Sequence, residues 1–464
     1  MAAEGVSRGA AFKRNRETQS KKFDEKPPSS YSDENRPGSM KKVLLFSSLL
    51  VAGLVASQFL NGRGAGLITW LTLIGLSFIM IHVGYEFDMD KSRPRQYAWD
   101  YLVAGTAAAF PWIFCTAYFV YVLAPPELWG IADQWKESLL LGRFASPTSA
   151  GVLFSMLAAA GLASTWVFRK ARILAIFDDL DTILLMIPLK IMMVGFKWQL
   201  SVLVAVIVGL LWVAWRYLHV IRLPRSWPWV LSYSVVITAV CESIYHASKV
   251  LDDSAPVHLE VLLPAFVLGC VMARSSGHGA HDEYHKGPEH KTEKLAATIV
   301  SACFMVLVGL SMPAIRGETA APVAEQVAPA ATAEEKAALS FAGVTPEVLA
   351  AKAAFPGWGV IALHVLAITL ISNLGKMFPL FCYRRETHWK ERLALSIGMF
   401  PRGEVGAGVL VISLGYGLGG TALTVAVLSL GVNLLCTGLF IVWVKSLLAS
   451  AEHEGKRGFS KTAA

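Results

Sequence analysis

Three aspartates, Asp178, Asp179 and Asp181, stand within one helical turn of each other in an apolar stretch, the run ILAIFDDLDTI over residues 173–183. A charged side chain at bilayer depth costs ~2.5–3.5 kcal/mol on insertion scales, so carboxylates there need a partner or a task. Lys376, Arg402 and Glu404 lie at comparable depth in other apolar stretches. Adjacent helical residues point ~100° apart, so Asp178 and Asp179 cannot both face one partner squarely. One can meet a neighbouring helix while the other faces a cavity. An unperturbed aspartate, with a pKa of ~3.9, stays ionised at neutral pH, but burial and neighbouring charges move such groups by ~3 units. A carboxylate that titrates near neutrality holds either a proton or a dehydrated cation. Competition for that one site couples the two fluxes if it alternates between the two sides of a membrane.

Depth along the chain suggests the partners. Asp178 lies about two turns inside one end of its segment, and Lys376 lies about two turns before Arg384. Their matching depth allows an Asp178–Lys376 pair. Asp181, one turn on, would share the lysine or meet Arg402. Pro147 and Pro401 remove backbone donors and interrupt two other segments. Carbonyls freed by such breaks can ligate a cation, and the hydroxyls of Thr148 and Ser149 add oxygen ligands. Half-helix ends carry partial charges of both signs, which Arg402 and Glu404 would compensate; the bland alternative is a structural ion pair between them. Arg143 and Lys190 lie near segment ends, where long side chains snorkel to water. Glu242, His246 and Asp100 also sit toward ends and are expected to face water.

The elements that must hold these residues are membrane helices. Of the 464 residues, 54% are hydrophobic and only 16% charged, against roughly a quarter charged in a soluble protein. Apolar runs of ~18 residues or more recur along the chain, long enough to cross the hydrocarbon core. They fall at about 43–60, 65–86, 98–123, 138–161, 172–194, 198–220, 228–249, 257–273, 295–314, 358–381, 392–415 and 420–447. The fold class expected is therefore an all-α polytopic membrane protein of about twelve transmembrane helices. Loops after even-numbered segments carry Lys91, Arg93 and Arg95, then Arg169 and Lys170, Arg222 and Arg225, a cluster from Arg274 to Lys294, and Arg384, Arg385 and Lys390. Loops after odd-numbered segments hold single cations (Arg63, Lys136, Lys197, Lys249), then a long Ala/Glu-rich stretch, then no charge at Leu414–Gly420. By the positive-inside rule both termini are cytoplasmic in a cell membrane, and the net charge of +8 belongs to those loops rather than to a nucleic-acid partner.

Residues 1–42 read as a basic disordered cytoplasmic tail, 43–447 as the membrane domain, 316–357 as an Ala/Glu-rich external loop, and 448–464 as a second cytoplasmic tail. Met40-Lys41-Lys42 before an apolar run could open a signal peptide, but the long polar leader favours a retained helix. The six cysteines are scattered one per segment and read as core residues; no metal site or cofactor is expected. His278, His281, His285 and His290 read as part of a polar loop rather than a pH or metal sensor. A faint internal repeat pairs FIMIHVG (78–84) with FMVLVG (304–309) and the Ser-Pro-Thr-Ser break (146–149) with Phe-Pro-Arg-Gly-Glu (400–404). By the loop charges each pair runs in opposite directions, as in inverted-repeat transporters whose two crossed discontinuous helices meet near the midplane.

Taken together, these stretches resemble the cation–proton antiporter superfamily. Residues 173–183 look like its aspartate-pair helix, and LLLGRFASPTSAG (139–151) looks like its first broken helix. Gly375-Lys376 looks like its lysine helix, GMFPRGEVG (398–406) like its second broken helix, and Gly84–Asp88 also suits it. The resemblance spans about residues 65–447. It implies a homodimer whose core domain (helices near 98–194 and 358–447) moves like an elevator against a scaffold. It implies ion and proton binding at Asp179, a salt bridge from Asp178 to Lys376, cation ligation near Thr148 and Ser149, and electrogenic exchange. Sodium is the first expectation for the cation, with potassium and lithium as alternatives. Two residues depart from the pattern: Ser149 stands where some sodium-selective members have aspartate, and Asp181 where glycine is common.

Two rival chemistries fit these residues less well. A sodium-coupled organic-solute symporter of similar fold would need a larger substrate cavity and has less use for Lys376. An intramembrane aspartyl protease needs carboxylates from separate helices converging on one water, whereas Asp178 and Asp179 are neighbours. A channel is a further alternative, but paired broken helices favour alternating access, and no nucleotide-binding loop suggests a pump. The chain reads as a transporter and not an enzyme.

Overall fold

The structure is a computed structural model and describes residues 37–60, 64–87, 94–194, 196–251, 259–273, 288–312, 356–415, 418 and 420–462. Among the described residues every regular element is helical, apart from an isolated bridge between Ile221 and Met272. In chain order the helices are α1 (Pro37–Leu60), α2 (Ala65–Glu86), α3 (Pro94–Tyr118, extended by a π turn, Phe119–Leu123), α4 (Ala132–Gly142), α5 (Ala150–Ala159), α6 (Trp166–Val194), α7 (Trp198–Arg216) and α8 (Trp227–Leu251). Then come α9 (Leu262–Val271), α10 (Pro288–Leu310), α11 (Trp358–Gly375), α12 (Pro379–Cys382), α13 (Trp389–Gly398), α14 (Glu404–Gly415) and α15 (Gly420–Thr462). Seven helical stretches among the described residues are long and apolar enough to cross a membrane. The α6 helix misses that standard only because of its charges; its 29 residues reach about 44 Å, more than a hydrocarbon core.

The expected tail at 448–464 is not separate from the last helix. One continuous helix, α15, runs through Thr462, because residues 448–462 contain no proline and only one glycine pair flanking charges. Most of the expected N-terminal tail, the loop at 316–355 and the histidine side chains at 278–290 lie outside the described residues.

Close helix crossings depend on glycines. A Cβ on Gly84 of α2 would fall 2.2 Å from the Phe266 carbonyl of α9, and one on Gly269 would fall 2.2 Å from that of Ile81. The α1–α10 crossing uses the same device: a Cβ on Gly53 would fall 2.2 Å from the Val306 carbonyl, and one on Gly309 2.3 Å from that of Leu50. Small residues suit such contacts because, in lipid, helices associate through packing rather than hydrophobic burial. Where α7 ends, His219 takes a left-handed conformation (φ 57°). Its ring nitrogens lie 3.0 Å from the Phe87 carbonyl and 3.1 Å from that of Met272, bridging the ends of α2 and α9.

Candidate functional site

Two helix interruptions and one helix end converge on the aspartates. The first interruption, residues 146–149, separates α4 and its terminal 3-10 turn (Arg143–Ala145) from α5. Pro147 cannot donate to a helical carbonyl, and Ser149 starts the helix anew, its hydroxyl accepting from the Val152 N–H. The second interruption, residues 399–403 around Pro401, separates α13 from α14. The breaks touch: the Ser149 N–H donates to the Pro401 carbonyl at 2.9 Å, and the Thr148 hydroxyl donates to the Met399 carbonyl at 3.0 Å.

The segment expected as one helix over 358–381 also breaks. Pro379 lacks the N–H that would bond to the Gly375 carbonyl, so α11 ends there and Lys376 caps it. Gly375 is required at that point. A Cβ there would lie 2.6 Å from the Pro111 nitrogen of α3.

Lys376 and Asp178 are both fully buried, and the ammonium donates to the carboxylate at 2.8 and 3.0 Å. Asp178 also accepts the Thr148 N–H at 2.7 Å, the positive end of the α5 half-helix. The pairing expected from depth is thus present, with a backbone donor that no sequence spacing revealed. Asp179, next on α6, is 1% exposed and lies within electrostatic range of Lys376. Beside this part of α6, Ile173, Phe177, Leu180, Leu211, Leu263 and Phe266 line an apolar cavity of about 160 Å³ between α6, α7 and α9.

Arg402, fully buried, gathers the opposite poles. Its guanidinium donates to the carbonyls of Ala145 and Ser372 at 2.9 Å each, to that of Phe400 at 3.5 Å, and to Asn373 Oδ1 at 2.7 Å. Those three carbonyls end the first interrupted helix, α11 and α13, where the partial charge is negative. The hydrogen bonds of Arg402 thus go to half-helix ends. The side chain of Glu404, the first residue of α14, is outside the described residues.

Asp181 lies within electrostatic range of Lys376, one of its two expected partners, but its carboxylate bonds elsewhere. Its carboxylate receives the Tyr101 hydroxyl, and its backbone carbonyl accepts from Arg143 at 3.0 Å. Arg143 does not snorkel. It is fully buried at the first interruption, bonded to Ser146 Oγ at 2.9 Å and stacked over Trp112. Nor does Asp100 face water: it accepts from Lys170 at 2.9 Å and from the Tyr383 hydroxyl at 2.8 Å, and Lys170 reaches Glu386 at 3.2 Å. Sequence reading missed this cluster because Asp100 and Lys170 each lie at a segment boundary, where depth is ambiguous. Only packing of α3 against α6 decides it. Glu242 and His246 do pair near the surface, at 3.7 Å.

Residues 42–447 match the model of the family described as sodium/hydrogen exchanger, transmembrane. Among solved structures, that of the sodium proton antiporter MjNhaP1 from Methanocaldococcus jannaschii aligns over 88% of this chain and 92% of that one, with a TM-score of 0.50 and 14% sequence identity. At that identity the likeness concerns the fold. No curated protein sequence matches the chain.

Proposed function

Since the chain belongs to the sodium/hydrogen exchanger family, and is thus a transmembrane cation–proton exchanger and not an enzyme, we propose that Asp179 is the group for which cation and proton compete. The observation that carries this is the state of its neighbour. Asp178 already holds Lys376 and the Thr148 N–H, so its lone pairs are committed to positioning. Asp179 follows it on the same helix, buried at the level where both interruptions meet. Thr148 and Ser149, at the interruption whose Thr148 N–H reaches Asp178, are the hydroxyls we assign to the cation, and Arg402, bonded to the half-helix ends, is the compensating charge.

The exchanged ion we propose is sodium, with lithium and potassium as the alternatives the test must separate. Exchange is by alternating access, the core helices moving against the scaffold. The apolar cavity between α6, α7 and α9 favours such motion, since sliding apolar faces break no hydrogen bonds. Twelve crossings arranged as an inverted repeat, both termini cytoplasmic in a cell membrane, and a homodimer complete the proposal. The glycine crossings support the repeat. If the first five segments map onto the last five, Gly84–Gly269 between the second and eighth becomes Gly309–Gly53 between the ninth and first.

The test is reconstitution in proteoliposomes with a pH-sensitive dye inside and successive additions of sodium, lithium and potassium. Cation-dependent proton movement that disappears in Asp179→Ala is the expected result. Exchange that persists undiminished in Asp179→Ala removes Asp179 from the role. Proton movement driven only by an organic solute would favour the symporter.

A further inference from the structure

Asp181 has no task in the exchange site described above, yet it is buried at 5% exposure three residues from Asp178. Its surroundings are built by α3. Tyr101 and Gly105 lie one turn apart on α3 and face Phe177 and Asp181, one turn apart on α6. The Tyr101 ring meets that of Phe177 edge-on at 5.5 Å, and its hydroxyl donates to the Asp181 carboxylate. Gly105 leaves the space that the other carboxylate oxygen fills: a Cβ there would stand 2.8 Å from Asp181 Oδ2. That oxygen is buried against bare backbone and has no hydrogen-bond partner among the described residues.

We propose that Asp181 is a second proton-binding site, bounded by Tyr101, Gly105 and Arg143, whose occupancy sets how tightly the neighbouring aspartate pair holds its cation. The inference rests on the exchange reading of that pair and extends it to a residue the family pattern leaves out. A carboxylate bonded through one oxygen and stranded at the other is poorly solvated as an anion; the neutral acid keeps the Tyr101 hydrogen bond and loses the charge penalty. The charged groups facing Asp181 are Asp178 from its own helix, Arg143 from the end of the first interrupted helix and Lys376 from the end of α11, besides the Tyr101 phenol from α3. Neither cation is directed at the carboxylate by the hydrogen bonds of the structure. Arg143 donates to Ser146 and to the Asp181 carbonyl, and Lys376 donates to Asp178. Tyr101 is 38% exposed and connects the buried acid to the surface of the bundle.

Residues three apart on a helix have Cβ atoms ~5–6 Å apart, close enough for one charge to act on another through a partly buried medium. The ionised Asp181 therefore adds negative potential at the pair and tightens its hold on a cation. Protonation removes that potential, and apparent cation affinity falls on the order of tenfold to a hundredfold. Acid thus weakens cation binding twice over: by direct competition at the pair and through Asp181.

The test reads the carboxyl itself. In pH-difference infrared spectra of the purified full-length protein, wild type should show a titrating carboxylic-acid band that is absent in Asp181→Asn and titrates at a different pH in Tyr101→Phe. An Asp181→Asn spectrum superimposable on wild type overturns the proposal. Should Asp181→Asn fail to fold, an unshifted titration in Tyr101→Phe overturns it equally. Where wild-type liposomes exchange sodium or lithium, the apparent cation affinity of Asp181→Asn should depend less steeply on pH, and an unchanged slope also refutes the coupling. Absence of any exchange in wild type would instead sink the exchange reading while leaving the infrared result to stand on its own.

Discussion

Replacing Lys376 by methionine leaves the Asp178 carboxylate with the Thr148 N–H alone, fully enclosed and without its counter-charge. The two ammonium contacts at 2.8 and 3.0 Å are lost together, and an orphaned buried charge of this kind costs about 3–5 kcal/mol. Asp178→Asn strands the ammonium instead, at a similar cost. The double variant Asp178→Asn/Lys376→Met strands neither, and the neutral amide can still accept the Thr148 N–H. Because desolvation offsets most of a buried pair's attraction, the double variant should lie within about 1–2 kcal/mol of wild type. Thermal unfolding of the four proteins in one detergent closes the cycle. The coupling expected is several kcal/mol, with both single variants melting well below the double. Additive losses, with the double variant the least stable of the four, would refute the view that these residues form one buried pair.

Arg402→Lys keeps the charge but replaces a planar fork reaching Ala145, Ser372, Phe400 and Asn373 with a point ammonium. At ~1.5–3 kcal/mol per charge-assisted bond, loss of even one should lower thermal stability measurably, and an unchanged melting curve would contradict the capping role. Gly375→Val drives a branched side chain into Pro111; overpacking of about 1–3 kcal/mol and weakened transport are expected, whereas Gly359→Val, with no neighbouring atom within 4 Å, should be tolerated in the same melting assay. Electrogenic exchange predicts that clamping the liposome potential with potassium and valinomycin changes the initial rate of sodium-driven proton movement. A rate indifferent to potential would show that the cycle moves no net charge.

The sequence by itself determined that the elements are helices and that Asp178, Asp179 and Asp181 are buried in one of them. Apolar runs longer than the hydrocarbon core have one solution in lipid, the helix, since every backbone group must be satisfied within it. Proline in mid-segment, at Pro147 and Pro401, announces a break for the same reason, and both breaks lie where the residues placed them. The match in depth between Asp178 and Lys376 was readable because rise per residue is fixed along a helix.

Which side chains meet across helices was decided only by tertiary structure. Depth along an axis says nothing of rotation about it or of which helices are neighbours. Asp181 gained Tyr101 as a partner, besides its electrostatic contact with Lys376, because α3 offers Gly105 at that crossing. Arg402 found three helix ends, and not only an acid, to answer its charge, because those ends converge only once the two broken helices cross. Asp100 and Lys170, read as residues at watery ends, became a buried pair when α3 packed on α6. In a bundle of this kind composition and period specify the rods and their breaks, while the electrostatic partners are fixed by how the rods are turned against one another.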